Sequence, residues 1–530
     1  MRTIVKLVTI SALVIFVLNF AVAKDECTAA TLSQEQTTQE VGIEDFIYST
    51  FLGGNNYDMG IDVTVDSQGN IIVTGSTKSE NFPMLNGIQE SHAGGEFDAF
   101  IAKFNVIGQL LWSTYLGGND WDFGQCIIVD DSDNIILLGM TESCDFPITE
   151  DACQKSYKGE GDCFIAKFAT NGSMLYSSFF GGIGYDVPLN AEFDSSGNIV
   201  FIGGTSSEDF PVTATAPQSA LGGKEDNFVT ILAPDFSSLL YSTFQGGSGA
   251  DFGQELSIDI EGNVIVLGVT NSSDFPVTNN AYKATVGGPG DVFFAKYNPF
   301  GQLTYASYFG GADGEWGFAV DTDSSGNIIL AGKTNSTDLP TTVTFQPNFG
   351  ELWDGFITKF APNGQDLIFS TFLGGDGVDE AYNLDVCEND NILITGATDS
   401  DNFPVFFPFQ DTRKGGLDIF ITLLNQNGLP LFSSYMGGNN YEIPHNQLYT
   451  NNTLYMIGAT ASLNFLLSSD AYQSHLRGLI DTYVFRFDIS AYLIAVRATM
   501  PIPGFELFPV ICVLFSLLTI RLRKTRKKHL

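Results

Sequence analysis

A Gly-Gly pair recurs seven times along the 530-residue chain, at Gly53-Gly54, Gly117-Gly118, Gly181-Gly182, Gly246-Gly247, Gly310-Gly311, Gly374-Gly375 and Gly437-Gly438. Successive pairs lie 63 to 65 residues apart, and self-similarity on such a period marks a repeat architecture. Each unit holds four short runs rich in Val, Ile, Thr, Phe and Tyr; in the first unit they are 48–52, 61–65, 70–74 and 98–104. Runs of that length and composition read as pleated strands, and no stretch of the body shows a long helical period.

The punctuation is equally regular. Gly69-Asn70, Gly197-Asn198, Gly262-Asn263 and Gly326-Asn327 join the second run to the third, with Asp133-Asn134, Asp390-Asn391 and Asn451-Asn452 in the other units. These residue types tolerate the positive φ of a tight hairpin. A Gly-x-Thr follows in every unit, from Gly75/Thr77 to Gly458/Thr460, and predicts a bulge or a close backbone approach. Phe-Pro then ends the strand, at Phe82-Pro83 and four further places, with Leu339-Pro340 and Phe465-Leu466 as looser copies.

Together with Asp-x-Phe-Ile-x-Lys-Phe, these motifs resemble the SBBP family of β-propeller repeats over about residues 46–488. The resemblance implies an all-β fold, a single seven-bladed propeller of four-stranded antiparallel blades. It also implies an exported protein and no one activity. The chain enters on a lone strand at 46–52 and leaves on 482–488, so the last blade lacks its outer strand. The N-terminal strand is expected to complete it and close the ring.

Both ends suggest export. Residues 1–23 read as a signal peptide, with Arg2 and Lys6, an apolar Leu7–Phe20 and the small-x-small cleavage pattern Ala21-Val22-Ala23. A polar tether is expected over 24–45 and a linker over 489–501. Residues 502–521 carry Pro503, Gly504 and Phe505 ahead of an apolar run, followed by a basic tail at 522–530. This end resembles the C-terminal sorting signals of archaeal surface proteins, in which a membrane protease-transpeptidase cuts near the motif. A plain single-span transmembrane helix is the alternative, and either places the propeller outside the cell, anchored to the membrane by its C-terminus.

The chain has 24 basic against 61 acidic residues. Such a field repels nucleic acid, which leaves an extracellular protein or a glycan as the expected partner. Cys126, Cys144, Cys153 and Cys163 fall in one repeat, where two local bridges are open to them; their spacing fits no close-paired zinc pattern. Asn171, Asn271, Asn335 and Asn451 head Asn-x-Ser/Thr triplets and are glycosylation candidates.

Propeller strands alternate in direction, so the Gly-Gly turns and the long loops after Phe-Pro share one face. Those loops, 84–97 and 405–417 among them, vary between repeats and are expected to bind the partner. The same face carries an acidic column, Asp58, Asp122, Asp186, Asp251, Glu315, Asp379 and Glu442. One reading gives the column to Ca2+; the other has each carboxylate accept hydrogen bonds from its own Gly-rich turn. No catalytic residue or cofactor is assigned: the four histidines occupy unrelated places, and no nucleophile elbow or phosphate loop is present. A surface-displayed binding or adhesion module is therefore expected. The alternatives are a structural envelope component and an extracellular hydrolase or lyase that uses loop carboxylates.

Overall fold

The computed structural model describes residues 43, 46–342 and 345–499. The expected cleavage site at Ala21 and Ala23 and the motif Pro503, Gly504 and Phe505 lie outside the described residues.

The chain opens with β1 (Ile47–Leu52), then forms blade 1 from β2 (Asp58–Val65), β3 (Ile71–Thr77), β4 (Asp98–Phe104) and β5 (Leu110–Leu116). The same meander builds blades 2 to 6, starting at β6 (Asp122–Val129), β10 (Asp186–Phe193), β14 (Asp251–Ile258), β18 (Glu315–Thr322) and β22 (Asp379–Val386). Blade 7 takes β26 (Glu442–Thr450), β27 (Thr453–Thr460) and β28 (Asp481–Phe487) and is completed by β1, in the order β1-β28-β27-β26. β1 pairs antiparallel with β28 from Ile47↔Phe487 to Leu52↔Thr482. The expected closure by the N-terminal strand is therefore present. Sequence repeat and blade are offset by one strand, because each repeat begins on the outer strand of the preceding blade.

The first strands of the seven blades touch one another in turn, and β26 returns to β2. They form the inner ring. Seven apolar clusters fill the seven seams between blades, including one of Leu52, Ile457 and Val484 with Val63, Ile71 and Phe100 across the closure. The Phe of Phe-Pro stacks on the Phe of the third strand of its own blade, as in Phe146–Phe164 at 4.4 Å and Phe210–Phe228 at 4.5 Å.

Every inner strand carries a register shift, between Gly60 and Asp62 in β2 for example. At that point its backbone crowds the Gly of Gly-x-Thr: a Cβ on Gly75 would lie 1.9 Å from the Met59 carbonyl oxygen, and one on Gly203 1.9 Å from that of Val187. Both halves of the expectation for this glycine hold.

Buried ion pairs tie the third strand to the first hairpin turn. Lys103–Asp66 spans 2.9 Å and Lys359–Asp323 2.7 Å, all four side chains being nearly solvent-free. In blade 6 both partners are gone, with Leu423 and Cys387 at the corresponding places. Where Asp replaces the turn Gly, it clamps the neighbouring blade: Asp133, at φ +59°, accepts from the Ser67 amide at 2.9 Å and hydroxyl at 2.7 Å, and Asp390 does the same for Ser324.

After β28 the chain does not turn back. It enters a helix, α1 (Ile489–Thr499), within the segment expected as a linker. Asp488 caps it by accepting from the Ala491 amide at 2.8 Å. Tyr492 packs edge-on against Phe432 at 5.8 Å and Phe46 at 5.9 Å. In other seams the outer-strand aromatic rests on the next blade's outer turn, Tyr305 on Gly364 for instance, so Tyr492 takes the place of a turn that blade 7 lacks.

One expectation is corrected. Among the described residues no helix is long and apolar enough to cross a membrane. α1 has 11 residues, which at about 1.5 Å per residue is roughly half of a hydrocarbon core. Residues 502–521 lie outside the described residues, so anchoring at the cell surface through the C-terminus has no support and is not carried further.

Candidate functional site

The face on which the inner strands begin, called upper here, is organised by two columns of buried carboxylates. The first is the acidic column of the sequence. Each member is the first residue of an inner strand and is fully buried. Asp186 accepts from the Gly182 amide at 2.7 Å, the Thr205 hydroxyl at 2.5 Å and the Ser207 hydroxyl at 2.8 Å. Asp58 accepts likewise from Gly54, Thr77 and Ser79, and Glu442 from Gly438 and Thr460. The Gly-Gly, the acid and the Gly-x-Thr are thus parts of one hydrogen-bond unit. The seven do not converge on a common centre; each is engaged within its own blade junction.

The second column is Asp98, Asp162, Asp226, Asp291, Asp354, Asp418 and Asp481, the first residues of the third strands, also fully buried. These anchor the long loops by accepting backbone amides, Gly222 and Gly223 at 2.7 and 3.2 Å on Asp226 for example. A glutamine eight residues upstream, nine in blade 1, ties this column to the following Gly-Gly turn. Gln218 donates to Asp226 at 2.7 Å and accepts from the Gly246 amide at 3.0 Å; Gln154, Gln346, Gln410 and Gln473 repeat this. In blade 4 the position is Lys283, which has no acceptor to offer. Its ammonium donates to Asp291 at 2.7 Å and to the carbonyl oxygens of Gly310 and Gly311, and Gly310 alone of the Gly-Gly glycines takes a positive φ, +156°. This column is the Asp of Asp-x-Phe-Ile-x-Lys-Phe, whose role as anchor of the long loop was not read from the sequence.

The residue before Phe completes the network. Asp209 accepts from the Ile183 amide at 2.7 Å and Asn402 from the Asp376 amide at 2.9 Å, and every blade has such a contact. Only one acceptor oxygen is needed, so Asp and Asn alternate freely. The residues so held, Asn55, Asn119, Ile183, Ser248, Ala312, Asp376 and Asn439, are all exposed.

The long loops do not stand free on this face along their whole length. Their first halves run along the outer strand: the amides of Ser113 and Tyr115 donate to the carbonyls of Leu85 and Gln89 at 2.9 and 3.2 Å, and Ser433 exchanges 2.8 Å bonds with Phe406. This covers an edge that would otherwise present unpaired backbone groups. Their second halves return to the upper face beside the Gly-Gly turns, where Gly95, at φ +61°, abuts Asp120.

Near the axis lie carboxylates that no column predicts. Asp62 accepts from the Ile127 amide at 2.6 Å, Glu255 from Val320 at 2.8 Å and Asp321 from Val386 at 2.7 Å, so each stitches its inner strand to the next. Asp62 and Glu255 share one place, four residues after the column acid, and Asp321 lies two residues further along its strand; Cys126, Asn190, Ala319, Asn383 and Asn446 stand at the first place in the other repeats, so no acidic column marks it.

Of the glycosylation candidates, the Asn271 and Asn335 side chains accept upper-face amides of Ala250 and Gly314, whereas Asn171 and Asn451 lie in exposed turns of the opposite face. The described cysteines are free: Cys126 and Cys163 are buried, and Cys144 and Cys153 exposed. The two local bridges open to them are not formed.

Burial pushes Asp58, Asp122 and Asp186 up to about 7, against the hydrogen bonds each accepts, and holds Asp98, Asp162 and Asp226 at about 6. Glu192 and Asp385 near the axis rise to about 8 through burial and the charge of Asp321. A carboxyl raised in the folded state adds stability below its unfolded pKa of about 4 and loses it as pH climbs through the folded value. Asp66 and Asp323 are lowered, burial being outweighed by Asn70 or Asn327 and by the lysine partners, and their contribution is lost in acid. Stability should peak near pH 4–6. The calorimetric melting temperature is predicted to fall by roughly 10 °C from pH 5 to 8.5; a rise over that window would contradict the assignment.

A family model described as a beta-propeller repeat, SBBP, matches residues 47–83 and 240–276. Each match starts on the outer strand of one blade and ends at the Phe-Pro of the next, the phase of the sequence repeat. An uncharacterized WD repeat-containing protein, L264 of Acanthamoeba polyphaga mimivirus, is 21% identical over 465 residues, covering 70% of this chain and 32% of that protein. The chain thus spans about a third of that relative's length. The Pan2 WD40 domain of Neurospora crassa overlaps 83% of this chain and 95% of its own at a TM-score of 0.42 and 10% identity. A polysaccharide lyase, the PL25 ulvan lyase, overlaps 86% and 99% at 0.44 and 11%. The quinohemoprotein alcohol dehydrogenase of Comamonas testosteroni overlaps 87% and 78% at 0.39 and 9%. The chain carries the SBBP beta-propeller repeat and builds a seven-bladed propeller from it.

Proposed function

We propose that this propeller is a non-catalytic interaction module that holds a partner on its upper face. The observation that carries the reading is the contrast within the Gly-Gly turns. Seven backbones are held by the same bond, while the seven exposed side chains they present run from Asn through Ile, Ser and Ala to Asp. A constant scaffold under variable tips suits recognition. The carboxylates that the sequence offers most regularly for hydrolysis, those of the two columns, are buried and committed to hydrogen bonds that hold loops.

Photo-crosslinking tests this. A photoreactive side chain placed at Asn119 of the full chain should give a discrete adduct in cell extract. The same group at Phe300, which is 84% exposed on the opposite face, should not. Adducts from Phe300 alone would overturn the reading.

A further inference from the structure

We propose that the mouth of the upper face over blades 1 and 2 is a saccharide site that takes a neutral oligosaccharide. The inference rests on the reading of the upper face as the binding face and names its ligand class.

The seven seams account for seven apolar clusters, yet an eighth exists. It is built from Phe97, Phe123 and Tyr185, with Tyr57 and Trp121 only partly buried against them. It draws on blades 1, 2 and 3 at the upper ends of their two seams. The residue just before each inner strand is aromatic on blades 7, 1, 2 and 3, as Tyr441, Tyr57, Trp121 and Tyr185. On blades 4 to 6 it is Ala250, Gly314 and Val378. At this position the aromatics are thus confined to blades 7, 1, 2 and 3, whereas on blade 5 the rings of Trp316, Phe318 and Trp353 gather round Lys333 instead.

Beside these rings lies a cleft of about 550 Å3 lined by Asn56, Lys78, Glu80, Ser91, His92 and Glu96, with Gly94 and Gly95. The Lys78 ammonium sits 4.4 Å from the Phe97 ring centroid and 5.8 Å from that of Tyr57, and pairs with Glu96 at 2.7 Å. Trp121 continues the wall, edge-on to Phe97 at 6.4 Å. A Cβ on Gly95 would stand 2.4 Å from the Asp120 carbonyl oxygen, so the loop lies pressed against the next turn.

A pyranose has two kinds of surface, and both are matched. Its C–H face is apolar and covers an aromatic ring, here the partly exposed Trp121 beside the cleft; its hydroxyls bond to carboxylate, amide and hydroxyl groups, here Glu80, Asn56 and Ser91. Charge narrows the class. With Glu80 and Glu96 at the cleft and a net charge of −37 on the chain, an anionic sugar is repelled. A cationic ligand is pre-empted, because Lys78 already pairs with Glu96 and covers the buried Phe97 ring.

Titration of the full chain with neutral tetrasaccharides (cello-, malto- and mannotetraose), followed by calorimetry and tryptophan fluorescence, tests the proposal. At least one should bind, and an oligogalacturonate should not. Tyr57→Ala should weaken binding at least tenfold. Glu80→Ala, at an exposed position whose loss leaves the fold intact, should do so by about threefold or more, and Phe300→Ser should change nothing. The proposal falls if none of the neutral sugars binds at millimolar concentration. It also falls if binding persists unchanged in both cleft variants. An adduct from Asn119 without any sugar binding would keep the upper-face reading and reject the saccharide. Sugar binding that depends on the cleft, without a protein adduct, would support the saccharide.

Discussion

Deletion of residues 44–54 is expected to abolish cooperative folding at 25 °C, or to leave a ring that melts more than about 15 °C below the parent. The strand lost, β1, is the outer strand of blade 7, and none of its side chains is more than 7% exposed. Burial of Ile47, Tyr48, Phe51 and Leu52 is worth about 1.5–3 kcal/mol each, so roughly 6–12 kcal/mol together. Total domain stability is typically about 5–15 kcal/mol. The deletion also strips β28 of its ladder partner, and it removes the Tyr48 hydroxyl from the Gly108 carbonyl and Thr50 from Gln473. A graded version is Phe51→Ala, which should cost about 3–5 kcal/mol. A truncated chain that melted as cooperatively and as hot as the parent would show that β1 does not close the ring.

Asp186→Ala is expected to cost about 3–6 kcal/mol, measured as a fall in the denaturation midpoint at pH 8.5, where the group is ionised. The carboxylate has no exposure and satisfies three donors, the Gly182 amide and the Thr205 and Ser207 hydroxyls. The two hydroxyls are able to rotate toward other acceptors, but the amide is fixed by its turn, and an unsatisfied buried donor costs about 1–3 kcal/mol. Asp186→Asn keeps one acceptor oxygen and should fall between alanine and the parent. The contrasting substitution is Asp209→Ala at the exposed rim, where one bond to the Ile183 amide is lost beside water; it should cost under about 1 kcal/mol. Equal costs at the two positions would mean that the column acids do not organise the turns.

What could be read in advance was what repeats. The 63-to-65-residue step, the Gly-Asn hairpins and the unpaired first strand fix a seven-fold ring closed by β1, because period and phase constrain topology directly. The glycine of Gly-x-Thr was legible for the same reason, and the crowding carbonyls of Met59 and Val187 supply its cause. The glutamine eight residues before the third-strand Asp in five blades, and nine before it in blade 1, was present but unread, since a polar residue in a loop looks solvated until its two partners are known. The axial acids Asp62, Glu255 and Asp321 were hidden because their places are acidic in only some repeats; Cys126 and Ala319 stand where Asp62 and Glu255 do. The course of the long loops was misjudged because they pair with the outer strand through backbone groups, which leave little trace in side-chain pattern. Tyr492 escaped notice because its role arises from a turn that blade 7 lacks.

Hydrogen exchange of the β1 amides, compared with those of β28, tests the closed ring most directly. If the N-terminal strand completes blade 7, residues 47–52 exchange as slowly as 481–487, through global unfolding alone, and both are released together as denaturant is raised. Exchange of β1 within seconds while β28 stays protected would mean an open ring.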